Sequence, residues 1–290
     1  MRTASRLVGI IGPLLLAVAL ASCSMVKLGY NRLDDVAYWW LDSYLDFNDS
    51  QTPRVRDDLA RLLAWHRSNE LPRFADMLQA MERLAPGDIT PEQACGFVTA
   101  VKERLNVLAD QAEPAVVALA TSLTAPQLRH LERKYQKSNA DYRKEWIEPR
   151  PEEQKDKRAE QMQERSEMIY GRLDDPQIAV LRKYMDSSAF DAQRVLAERE
   201  RRQQDAVDTL RKVTNPLRSQ EEARRLMRGF LERVQASPDA AYRVYQEQLI
   251  QEGCRTFAAT HNSTTAAQRE NAVRRLRAYQ RDLRELATQR

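Results

Sequence analysis

Three histidines, three cysteines and a large set of carboxylates hold whatever chemistry this 290-residue chain can perform. His66 and Glu70 stand four residues apart, on one face if the stretch is helical, with Trp65 and Arg67 beside them. A general base needs a nucleophile within reach, and the neighbouring sequence offers none. A structural pair is the commoner use of such spacing. None of His66, His130 and His261 sits in an H-E-x-x-H motif or a cysteine–histidine ligand spacing. A G-x-S-x-G elbow and a phosphate-binding glycine loop are both missing. The carboxylates alternate with lysine and arginine, as they do when they pair along helices. These features predict no enzyme, no metal or other cofactor, and no small-molecule substrate.

The remaining reactive position lies near the start. Arg2 and Arg6 precede an apolar run from Leu7 to Leu20, and Leu20-Ala21-Ser22-Cys23 closes it. A charged region, an apolar region and small residues before a cleavage point make up a signal peptide. The alternatives are an ordinary secretory signal and a transmembrane helix. The run is shorter than the ~20 residues a bilayer requires, and Pro13 interrupts it. The four residues resemble the lipobox of bacterial lipoproteins. That resemblance implies a lipid on the Cys23 thiol, removal of residues 1–22, and acyl chains holding the protein to a membrane. Ser24 at the next position implies, by the same resemblance, the periplasmic face of the outer membrane.

With Cys23 lipidated, Cys95 and Cys254 remain. An exported pair in an oxidising compartment reads as a disulfide, against the alternative of two separate buried thiols. The formal charge of +4 falls to +2 without Arg2 and Arg6, which gives no ground for a nucleic-acid partner. Eight arginines lie between Arg255 and Arg290. A solvated helix face explains them, and contact with anionic headgroups or wall polymers is the alternative.

The elements that must position these residues read as helices. Strand alternation and hairpin signals are absent, whereas capped starts recur. Thr90 with Gln93, Thr124 with Gln127, and Thr265 with Gln268 have capping-box spacing, and Asp174 with Gln177 is an aspartate variant. Their unequal separations argue against a repeat. Pro114 is expected to end or kink the helix that starts at Pro91 and presents Cys95, Val98 and Leu105. Residues 176–213 read as one long helix whose middle, 198–205, is polar all round and either bridges solvent or bends.

The segment 23–50 is read as the lipidated N-terminus with an aromatic helix, and 51–290 as an all-helical periplasmic domain with a possible subdivision near 214–218. On the aromatic helix Leu33, Val36, Trp40 and Tyr44 share one face, with Tyr38 and Trp39 to the side. Packing into the core is the expected use of that stripe. Lying at a headgroup interface is the alternative.

The ordered set Leu20-Ala-Ser-Cys23, Tyr38-Trp39-Trp40 with Tyr44, and Trp65-His66-Arg67 with Glu70-Leu71-Pro72 resembles a family of proteobacterial lipoproteins of unknown function, of the domain of unknown function 6279 type. The resemblance implies an all-helical envelope lipoprotein and no particular activity. Leu123-Thr124-Ala125-Pro126-Gln127 is also similar to the LTxxQ motif of small helical periplasmic chaperones and stress adaptors.

The sequence therefore predicts an all-α, elongated multi-helix bundle anchored through Cys23. Its expected role is binding or scaffolding another envelope protein, with Tyr38, Trp39, Trp40, Trp65, His66 and Arg67 as candidate contacts. Holdase-type chaperoning is the alternative, and an enzyme acting on wall or lipid a more remote one.

Overall fold

A computed structural model describes residues 26–289. Cys23 and the expected signal peptide, 1–22, lie outside the described residues. The protein is an all-α multi-helix bundle, and no strand occurs among the described residues. After a helical turn at 26–30 come α1 (Leu33–Leu45), α2 (Gln51–Asn69), α3 (Leu71–Leu84), α4 (Pro91–Ser122), α5 (Ala125–Trp146) and α6 (Pro151–Tyr170). They are followed by α7 (Asp175–Asp186), α8 (Ala192–Val213), α9 (Gln220–Gln235), α10 (Ala240–Asn262) and α11 (Ala266–Thr288).

Local chemistry explains most boundaries. Thr90, Asp174, Ser219 and Thr265 each cap a helix while the residue three positions on reaches back to the cap N–H. Pro114 neither ends α4 nor separates the segment after it, since the helix runs on to Ser122. The long helix expected over 176–213 is two helices. Residues 187–191 break it, with Ser188 donating to Glu252 at 2.8 Å and Asp191 accepting from the N–H groups of Gln193 and Arg194. The polar middle of α8 does not bridge solvent either. Glu198 is 5 % exposed and accepts from Arg201, Arg202 and Ser237. Burial alone would raise that carboxyl, but these hydrogen bonds outweigh it and hold it below the usual carboxylate range.

The packing order repeats, contrary to the expectation from cap spacing. The helix α1 packs on α2 and α5 as α6 packs on α7 and α11, and α2 meets α4 as α7 meets α10. The halves also exchange helices: α11 lies on α3, and α5 lies on α8. Between the halves, α4 packs against α10. Among the described helices α1–α11 only α9 lacks a counterpart; it buries Ala223 and Met227 against Val117, Ala120 and Val213. A second core cluster joins Tyr170, Leu173, Leu181 and Ala272, with Met162 packed on it.

Candidate functional site

His66 does not face a carboxylate. Its Nδ1 shares a 2.9 Å hydrogen bond with the Tyr30 hydroxyl, and its ring stands 6.1 Å from Phe74. Burial lowers the His66 pKa, with the Glu70 charge opposing. Glu70 is buried and turns its Oε1 to Arg104 at 3.6 Å and Arg73 at 4.0 Å, while its Oε2 has no hydrogen-bond partner. Arg67 donates to Asn31 at 2.9 Å. The cluster thus ties the turn before α1 to the end of α2. Among the described residues no group of three or more His, Cys, Asp or Glu side chains is placed to hold a metal.

His261 has a parallel arrangement. Its Nδ1 shares a 2.9 Å bond with the Tyr170 hydroxyl, and its Nε2 lies 2.7 Å from the Gly87 carbonyl. Burial lowers this histidine and pushes Tyr170 up to about 12.

The Ser219–Glu222 box and one at Asn48 escaped the sequence reading, as did the purpose of three others. Asn48 accepts from the Gln51 N–H at 3.0 Å while Gln51 Oε1 accepts from the Asn48 N–H at 3.2 Å. Gln51 is buried against Gln127, and Gln177 against Gln268. In each pair both glutamines also donate to a carbonyl five residues before their partner. Gln51 reaches Ser122 at 2.9 Å and Gln127 reaches Asp46 at 3.0 Å. Gln177 reaches Ser263 at 3.0 Å and Gln268 reaches Arg172 at 2.9 Å. The two glutamines of the pairs are 76 and 91 residues apart, and the longer separation contains the 16-residue α9. Asn48-x-x-Gln51 was the available signal. The Thr90–Gln93 box is exposed and has no such partner.

The first half carries an open groove of about 450 Å³ between α1, α2 and α4. Leu41, Val55, Leu59, Leu62, Val116 and Leu119 line it, and Arg54, Asp58 and Arg61 stand around them. Leu59 and Met185 lie eight residues after the first glutamine of their halves, and Ala115 and Thr256 twelve before the second. By that register the cleft of about 260 Å³ lined by Met185, Leu249, Glu252 and Thr256 is the groove's counterpart. There Met162 of α6 and Phe190 of the 187–191 loop also line the space, and the Arg158 guanidinium covers the Phe190 ring at 4.3 Å. Equivalent side chains are missing from the first groove, to which α1 contributes Leu41.

The six candidate contacts are divided between environments. Tyr38 is buried, bonded to Thr52 at 3.0 Å and covered by Arg56 at 3.8 Å. Trp39 and Trp40 are 62 % and 60 % exposed, so the aromatic stripe does not enter the core as a unit. Trp65, His66 and Arg67 are half-buried. Val98 and Leu105, which α4 presents along with Cys95, are also exposed. Cys95 and Cys254 form a disulfide with their Cα atoms 5.4 Å apart, joining α4 to α10.

A model described as a family of unknown function (DUF6279) matches residues 43–243. The chain belongs to this family. The DUF6279 match takes in Gln51, Gln127 and Gln177, residues 65–67 and the groove residues of α2 and α4, begins after Leu41, and ends before Cys254 and Gln268. No curated protein and no solved structure matches the chain.

Proposed function

We propose that this DUF6279 protein is a non-enzymatic binding protein of the bacterial envelope, held by acyl chains on Cys23 at the periplasmic face of the outer membrane. The lipobox pattern supports the address, and a disulfide suits an oxidising compartment. The observation that carries the binding role is the open groove beside α1. Its counterpart by register is lined by a thioether and an aromatic ring that the chain itself contributes, Met162 and Phe190, which supports an apolar occupant. The occupant of the first groove is accordingly an apolar segment of another envelope protein, presenting side chains of the Met or Phe kind. Tethering to the same surface raises the effective concentration of membrane-bound partners.

The test is recovery of the lipidated protein from crosslinked envelopes with quantitative mass spectrometry, beside Ala115→Phe, which fills the groove. One or two partners near equal stoichiometry, lost in a variant with unchanged thermal unfolding, are expected. A partner set indifferent to Ala115→Phe would overturn the groove assignment. Many unrelated substoichiometric partners would favour the second reading, a holdase, for which the exposure of Val98, Leu105, Val244 and Phe257 on α4 and α10 speaks.

A further inference from the structure

The helix α1 bears an apolar face that no described residue covers. Leu33, Val36, Trp39 and Trp40 are 44 %, 52 %, 62 % and 60 % exposed, and helical spacing places them on one side of α1. Their register-mates in the second half behave differently. Val36 corresponds to Met162, which packs on the core, and Trp39 corresponds to Arg165. Exposure of large apolar side chains at these positions is therefore a property of α1 and not of the repeated architecture.

The position of this face relative to the anchor is constrained. Lys27 is paired with Asp282 at 3.5 Å and with Glu285, and Asn31 with Arg67 at 2.9 Å, which ties the turn before α1 to α11 and α2. Cys23 is four residues before Lys27. Four residues of chain span at most about 14 Å in any conformation. An acyl-anchored Cys23 therefore holds this end of the bundle next to the bilayer, with α1 beginning within two helical turns of the pinned residue.

We propose that the Leu33–Val36–Trp39–Trp40 face of α1 lies in the headgroup interface of the bilayer that carries the acyl chains. Indole rings are favoured at that depth because their apolar body and N–H are both satisfied there. The contact rests on the lipid-anchor reading and adds to it: acyl chains set residence on the membrane, whereas α1 sets orientation and leaves the groove beside Leu41 at a fixed height above the surface.

The test uses lipidated protein in phosphatidylethanolamine–phosphatidylglycerol vesicles containing brominated acyl chains, read by tryptophan fluorescence and by flotation. Quenching by about a third or more is expected for the wild type, at least twofold less for W39F/W40F at equal flotation, and an intermediate loss for Trp39→Arg. Floating protein whose fluorescence is unquenched would overturn the proposal. If the protein fails to float, the anchor reading fails. Quenching at vesicle excess then decides the face separately, the wild type being quenched and W39F/W40F not if it holds, and neither if it does not.

Discussion

Gln127 donates its side-chain amide to Oε1 of Gln51 at 2.7 Å, and Gln177 makes the same bond to Gln268 at the same length. Each glutamine also holds the N–H of its own capping residue and a carbonyl at the end of the helix preceding its partner's box. One side chain therefore satisfies polar groups at two helix ends, and Gln51, Gln127 and Gln177 do so buried, where an unpaired group is costly. The LTxxQ-like motif is here a joint between helix starts.

Replacing Gln127 or Gln177 by leucine should destabilise the protein by roughly 2–4 kcal/mol, because several buried groups lose partners together. The same change at Gln93 removes only an exposed cap and should cost about 1 kcal/mol or less. Urea unfolding of the three variants checks this. Equal losses at all three positions would mean that capping, not pairing, is what matters.

The Cys95–Cys254 disulfide closes a loop of 159 residues between the helices where the two halves meet. Reduction, or Cys95→Ala with Cys254→Ala, should lower unfolding free energy by about 2–5 kcal/mol, since a long loop restrains the unfolded chain strongly. Guanidinium unfolding with and without a phosphine reductant measures it, with the double alanine variant insensitive to the reductant.

Burial holds the pKa values of His66 and His261 below the ordinary 6.5. The unfolded chain therefore binds more protons as pH falls below that value, and stability declines from there downward through the folded-state pKa values. Thermal unfolding should lose several degrees between about pH 7 and about pH 5. His261→Gln should be less stable at neutral pH and show a shallower decline. The depressed carboxyls, such as Glu198, titrate lower and act outside this window.

Much of this architecture can be read from one sequence, and the parts that cannot have physical reasons. All-helical class and four capped starts follow from local spacing, and the cysteine pair from cysteine count once Cys23 is set aside. The duplication was hidden because α9 lengthens one half, and because the first of the four paired glutamine boxes uses Asn48 where the other three use threonine or aspartate. Burial of Tyr38 beside exposed Trp39 and Trp40 depends on where α2 and α5 cross α1, which the pattern of a single helix does not contain. His66 and Glu70 satisfied the spacing for a pair, yet tertiary partners from Tyr30 and Arg104 claimed each.

The most direct test of the binding account is photo-crosslinking in living cells from a photoreactive phenylalanine analogue placed at Leu62, in the open groove, and separately at Tyr184, in its smaller counterpart cleft. The account predicts a discrete protein adduct from Leu62, abolished by Ala115→Phe, and none from Tyr184. Equal adducts from both positions, or none from Leu62 in a protein shown to be folded and membrane-bound, would contradict it.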